Sequence, residues 1–241
     1  MDIVNKSIVV GGMGDYEIPL KNAMRWMWKE HMFVKGCLFH YSQALNSNIS
    51  QKGLKSDYQS TGKQFNFMLF CYFRQFHALA LLPPQLVPKS WNIIAPRYKT
   101  QTPSSSHPAC VAFITYHRNF WMKNGSFIKE WNCYRSPIRT NNLLECRNAI
   151  VNKRFGPHPG LFDFVQGLSD WFCDGFIECE QFIKHGMVNK RHKKEILKNK
   201  VLNKWGSFID TSQTIDDILL FLKETSKAMK ANEDTLHEML K

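Results

Sequence analysis

A chain of 241 residues, 44% hydrophobic and 22% charged, can bury a substantial core, and this balance excludes an intrinsically disordered protein. Its formal net charge of +12 points to a polyanionic partner, nucleic acid before an acidic membrane. The charge is uneven: residues 1–162 carry 20 Lys/Arg against 7 Asp/Glu, residues 163–241 carry 12 against 13.

In chain order, SIVV (7–10) reads as a buried strand running into a turn at GGMG, and Asp15 follows where a new element begins. YEIPLKNAMRWMWKEH has Ile18, Ala23, Met24, Met27 and Trp28 at roughly helical spacing, with Pro19 tolerable in a first turn. FVKGCLF fits a second short strand, and YSQALNSNISQKG a helix ending at Gly53. Residues 57–94 read as apolar helix broken at LLPPQLVP, and 95–110 as a Pro/Ser-rich loop or linker. VAFITYHRNFWMKN (111–124) suits helix or strand, and Gly125 breaks it. Thr140 is placed to cap a helix over 141–154 that GPHPG ends, and a further apolar helix covers about 160–185. In 187–205, Leu197, Val201 and Trp205 form one apolar stripe on a basic helix. TIDDILLFLKETSKAM (214–229) opens with Thr214-x-x-Asp217, a capping-box pattern, and carries a stripe at Ile215, Ile218, Leu219 and Leu222.

The seven cysteines include no C-x-x-C pair and resemble no disulfide framework, so they read as reduced thiols of an intracellular protein. The start MDIVNKSIVVGGMGD lacks the pattern of a secretory signal. FNFMLFCYF (65–73), the most apolar run, is too short to span a bilayer, so no membrane is expected.

Few carboxylates are available for chemistry in the basic part: Asp2, Asp15, Glu17, Glu30, Asp57, Glu130 and Glu145. Asp15 sits at a strand end, from which side chains of α/β folds enter a site; it equally suits a turn or a helix cap. Glu145, in the first turns of a helix, equally suits the helix dipole. Cys37 and His40 form a C-x-x-H pair, half of a zinc site. Cys133, Cys146, His158 and His117 could complete it, but none lies at a diagnostic spacing, which favours a core Cys with a hydrogen-bonded His nearby.

GDYEIPLKNAMR, KGCLFHYSQAL, LALLPPQLVP, EWNCY, and RTNNLLE followed by GPHPGLFDFV occur in this order over about residues 13–170. In order and spacing they resemble the transposases of Mutator-like elements. The resemblance implies that Asp15 is the second catalytic carboxylate, that Cys37 and His40 are the family's C-x-x-H signature, and that Glu145, in Arg139-Thr-Asn141-Asn142-x-x-Glu, is the final catalytic Glu. It also implies a ribonuclease H-like fold with a helical insertion, three carboxylates holding Mg²⁺ or Mn²⁺, and phosphoryl transfer on DNA. Non-specific DNA contacts are then expected from Arg147, Lys153, Arg154, Lys190, Arg191, Lys193 and Lys194. A nuclear location follows, as does pairing with a second copy or an intact transposase.

This chain departs from the family pattern in two ways. Only Asp2 precedes Asp15, so the first catalytic Asp has no counterpart, and Asn148 stands where the family usually has a His. The expected fold is therefore mainly α with a few short strands (α+β), an incomplete ribonuclease H-like core. Its parts are a core remnant at 1–56, a helical insertion at 57–130, the final-Glu helix and its successor at 131–186, and C-terminal helices at 187–241. The expected function is a truncated or degenerate transposase that binds DNA and does not catalyse alone. The alternatives are an enzyme completed by missing sequence or a partner chain, and a host-recruited interaction module.

Overall fold

The computed structural model describes residues 11–14, 16, 19, 22–23, 26, 33–58, 65–136, 138–140, 149–150, 152–156, 158–185 and 193–240. The protein is mainly helical. Its described strands are β1 (Gly11–Gly14) and β2 (Phe33–Gly36), paired in parallel with Gly11 opposite Phe33 and Gly14 opposite Gly36. A parallel pair needs a crossover connection, and the described residues of that connection, Pro19, Asn22, Ala23 and Trp26, are helical.

Here the structure corrects one expectation. GGMG is not the turn after a strand but a strand itself; SIVV lies outside the described residues. Ladder hydrogen bonds to β2 outweigh the poor strand propensity of glycine, because strand preference follows the neighbours more than the residue.

Helix α1 (Leu38–Gln51) follows β2 after one residue. Leu38, Tyr41, Leu45, Asn48 and Ile49 lie on one face and are buried. It ends as expected at Gly53, whose φ of +80° is the left-handed geometry that glycine adopts without steric cost. After the short α2 (Lys55–Tyr58), α3 (Phe67–Ala78) starts where the Asn66 side chain accepts a hydrogen bond from Leu69 N at 2.9 Å. The LLPPQLVP break is present: two short 3₁₀ turns lead into α4 (Val87–Ile94).

Residues 95–110 are not a linker. They form a 3₁₀ turn, α5 (Tyr98–Gln101), another 3₁₀ turn and the first residues of α6 (His107–Trp121). Pro96 and Pro108 occupy first-turn positions, where a missing N–H costs nothing, so they start helical turns instead of ending them. Ala95, Ser106 and Cys110 are buried, which ties the segment to the core.

Asn124 caps α7 (Gly125–Trp131) by accepting from Phe127 N at 2.8 Å. Thereafter come α8 (Leu161–His185), α9 (Lys193–Thr211), α10 (Ile215–Ala228) and α11 (Glu233–Leu240). Thr214 and Asp217 make both bonds of the capping box that the sequence announced.

One hydrophobic cluster joins α1, α3, α4, α6 and α7 to α9, α10 and α11, so residues 57–130 share their core with both flanking segments. Its centre is aromatic. Tyr41 stacks on Trp131 at 4.8 Å and meets Trp121 edge-on at 4.7 Å, and Trp131 Nε1 donates to the Trp121 carbonyl at 2.9 Å. No helix among the described residues is long and apolar enough to cross a membrane.

Candidate functional site

The carboxyl ends of β1 and β2 lie side by side, the place where open parallel sheets present functional side chains. Two backbone bonds organise this end. Cys37 N donates to Gly14 O at 2.9 Å, and Leu38 N donates to Arg139 O at 2.8 Å. Gly14 is the residue before Asp15, and Arg139 opens the R-T-N-N-x-x-E run. Three segments distant in sequence therefore meet at the start of α1, whose macrodipole favours negative charge there.

Tyr16, one residue beyond Asp15, fixes the first segment. Its hydroxyl donates to Cys37 O at 3.5 Å and its ring meets Trp121 edge-on at 4.9 Å. Burial, with smaller contributions from Cys133 and Tyr41, pushes its phenol far above the usual range, so it stays neutral. The ring lies where a side chain on Gly36 would be: a Cβ there would overlap it. Glycine at 36 is thus set by close approach, not by φ.

Cys37 is fully buried at the N-cap of α1, and its thiol makes no capping bond. His40, half-buried in the first turn of α1, meets Phe39 edge-on at 5.5 Å. Cys133, also buried, donates its thiol towards Gly36 O at 3.9 Å and Trp131 O at 3.7 Å. Burial pushes the Cys133 thiol up to about 11, with Lys35 and Arg139 opposing.

Of the other three candidate zinc ligands, Cys146 lies outside the described residues and the two histidines lie elsewhere. His117 is in the aromatic core, with Trp91 Nε1 at 3.1 Å from Nδ1 and the Tyr41 hydroxyl at 3.1 Å from Nε2. Because Trp91 can only donate, Nδ1 accepts and Nε2 carries the proton; Tyr41 passes its own hydrogen to Phe76 O at 2.8 Å. Burial lowers His117 to about 3. His158 is exposed in the left-handed region, with φ of 57°. Among the described residues, no three His, Cys, Asp or Glu side chains gather in a way that could hold a metal.

The EWNCY run contributes the residues whose part the sequence reading did not foresee. Asn132 donates from Nδ2 to Leu82 O at 2.7 Å and to Leu79 O at 3.3 Å, and accepts from Tyr134 N at 2.9 Å. Cys133 N donates to Ala80 O at 2.7 Å. These bonds satisfy the carbonyls freed where LALLPPQLVP interrupts its helix. Lys35, on β2, donates to Lys129 O at 2.7 Å and Asn132 O at 3.1 Å, placing a cation at the C-terminus of α7. Burial lowers its affinity for the proton. Four of the motif segments quoted above, GDYE, KGCLFH, LALLPPQLVP and EWNCY, thus lock together around one strand end. The available signal was their polar residues in otherwise apolar runs.

Arg139 extends this cluster towards α9, with one guanidinium nitrogen on Asn199 Oδ1. Burial lowers its pKa, and Glu195 opposes. Tyr134 donates to Asp210 Oδ1 at 2.6 Å, and Arg135 pairs with the same carboxylate at 2.5 Å, tying the turn after EWNC to α9.

Asp15, Glu145, Asn141, Asn142, Arg147, Lys190 and Arg191 lie outside the described residues. Of the remaining expected DNA contacts, Lys153, Arg154 and Lys194 are exposed, and Arg154 faces Asp174 at 3.6 Å. Lys193 is the first residue of α9.

Comparison with protein-family models, curated proteins and solved structures gives no significant match. Among the described residues, fold and site define a mainly helical protein with one short parallel strand pair, whose carboxyl end is braced by a cluster of tyrosine, cysteine, lysine and arginine side chains.

Proposed function

We propose that this chain is a DNA-handling protein of the Mutator-like transposase type, built on a ribonuclease H-like core, that binds duplex DNA through phosphate contacts and does not cleave it alone. The observation that carries this reading is the pair of hydrogen bonds from Cys37 N to Gly14 O and from Leu38 N to Arg139 O. The residue before Asp15 and the residue opening R-T-N-N-x-x-E are both bonded to the C-x-x-H segment. That is the convergence a carboxylate site at the strand ends requires. The net charge of +12, largely in residues 1–162, supports a polyanion as ligand.

Asp15 and Glu145 are the oxygen ligands that would hold Mg²⁺ or Mn²⁺, ions that prefer carboxylates. Such ions, when bound, activate water or a 3′-hydroxyl and stabilise the leaving oxygen. The protein's own part is to bond Gly14 and Arg139, which lead into the two carboxylate-bearing segments, to the start of α1. Two carboxylates are fewer than the three this chemistry uses, and that is why binding without cleavage is expected.

The rival reading is an active nuclease or strand-transfer enzyme that takes its third carboxylate from another chain. Nicking of supercoiled plasmid in Mn²⁺ separates the two. The proposal expects a retarded plasmid with no nicks beyond those in a protein-free control. Nicks that vanish in Glu145→Gln would establish the rival.

A further inference from the structure

Helices α3 and α10 meet along a groove of about 670 Å³, inside the range of roughly 300–1,000 Å³ typical of small-molecule sites. Phe67, Phe70, Leu219 and Leu220 form its apolar walls. Phe67 is 68% exposed and Leu220 42%, so these walls stand open to solvent. Five cations also line the groove, Arg74, Arg97, Lys223, Lys227 and Lys230, and no lining residue is acidic. Among the described residues only Lys227 of these is paired with a carboxylate, Glu224 at 3.6 Å.

Two of the cations gather about one ring. The Arg74 guanidinium carbon lies 5.9 Å from the centre of the Phe70 ring, and Lys230 Nζ lies 5.4 Å from the same centre. Arg74 is only 6% exposed, an unusual burial for an arginine without an acidic partner. It donates to Ser226 O at 2.7 Å and stands beside the Tyr58 hydroxyl, and neither group carries a charge. A guanidinium has more donors than these two can accept. The C-terminal end of α10 offers roughly half a negative charge, and the face of a phenylalanine ring compensates a cation only weakly. Burial, and then Arg74, lowers the affinity of Lys230 for its proton, so the two cations repel each other. Such an arrangement is stabilised by an anion that enters from outside, and the apolar walls beside it call for an anion with an apolar body.

We propose that this groove binds a small amphipathic carboxylate, with its anionic head at Arg74 and Lys230 and its apolar tail along Phe67, Phe70, Leu219 and Leu220. An inorganic polyanion would use the cations alone and leave the walls in water. None of the expected DNA contacts lines the groove, so the inference stands apart from the proposed function and the two can fail separately.

The fluorescence of cis-parinarate, a long-chain polyene carboxylate, titrated into the full chain below its micelle concentration, tests the site. The expected result is saturable binding that dodecanoate displaces. Butanoate, which keeps the head and lacks the tail, should not displace it, nor should dodecyltrimethylammonium, which keeps the tail under a cationic head. Lys227→Glu/Lys230→Glu should weaken binding by about tenfold or more, the loss expected of a charge-assisted contact. Phe67→Ser/Leu220→Ser should weaken it as well. All four side chains are exposed, so the circular dichroism spectrum should not change. Lys52→Glu/Lys184→Glu, the same change of charge outside the groove, should bind as the unaltered protein does. Dodecanoate should also slow maleimide labelling of Cys71, an exposed thiol in the groove, and leave that of Cys173 on α8 unchanged, read by peptide mass spectrometry. Absence of saturable binding overturns the proposal, as does equal displacement by dodecyltrimethylammonium and dodecanoate. So does an equal loss in Lys52→Glu/Lys184→Glu, or labelling of Cys71 that dodecanoate does not slow.

Discussion

Helices α6 and α8 are both amphipathic and both rich in aromatic residues, yet they meet opposite surroundings. α6 turns Cys110, Phe113, His117 and Trp121 into a core closed on every side, where Phe113 meets Phe73 edge-on at 4.8 Å and Phe76 at 5.1 Å. α8 turns one face to Phe155 and leaves Phe162, Phe172 and Phe176 in solvent. The difference shows that helical periodicity fixes which residues share a face, while only tertiary partners decide whether that face is covered. It also separates the residues whose loss should unfold the protein from those whose loss should leave its stability nearly unchanged.

The largest expected effect is at Trp131, which α7 adds to the same covered core. It is fully buried, stacked on Tyr41 and bonded to the Trp121 carbonyl. Trp131→Ala should cost about 3–5 kcal/mol, the range for truncating a core aromatic, read as a lowered urea midpoint. A loss under about 1 kcal/mol would mean that the core rearranges around the gap.

The next effect is a pH dependence that arises in the covered core. His117 in the folded protein takes a proton only near pH 3, whereas the unfolded ring does so near 6.5. Between those values the unfolded state holds more protons, so stability falls as pH falls through that window, by up to about 1.4 kcal/mol per unit. His77, lowered by burial and then by Arg74, adds to the same slope. His117→Gln should flatten the dependence by about one proton. An unaltered slope would place the titration elsewhere.

Gly36→Ala tests the strand-end cluster. The added methyl overlaps the Tyr16 ring, which must leave its place against Trp121. Overpacking of this kind costs about 1–3 kcal/mol, and Tyr16→Ala/Gly36→Ala should cost less than the sum of the two single changes. Strict additivity would show that the two sites are independent.

The smallest effect belongs to α8. Phe172→Ser, at a side chain 68% exposed, should change monomer stability by no more than about 0.5 kcal/mol in either direction. A loss as large as that of Trp131→Ala would mean that this face is covered within the monomer after all.

Much of the helical framework was legible in the sequence. Thr214 and Asp217 announced a cap, Gly53 a stop and LLPPQLVP a break, because each is a local signal with a local cause. GGMG and residues 95–110 were misread for the converse reason. A strand of glycines exists only through its partner β2, and Pro96 and Pro108 start turns whose burial depends on the core beneath them. The candidate site was half legible. The spacing of Cys37 and His40 drew attention to the right place, but Tyr16, Lys35 and Asn132 act through contacts 20 to 100 residues away in sequence, which no local pattern records. Asp15 and Glu145, named from the family resemblance, lie outside the described residues; Gly14 and Tyr16 flank Asp15, and Arg139 stands six residues before Glu145.

The proposed function is engagement of DNA through its phosphates. Fluorescence anisotropy of a random-sequence duplex, titrated with the protein from about 50 to about 200 mM salt, tests it most directly. The expected result is binding whose logarithm falls linearly with log salt, with a slope of about −0.9 for each phosphate neutralised, and equal affinity for unrelated sequences. Absence of binding at the lowest salt, or an affinity that salt does not change, would contradict it.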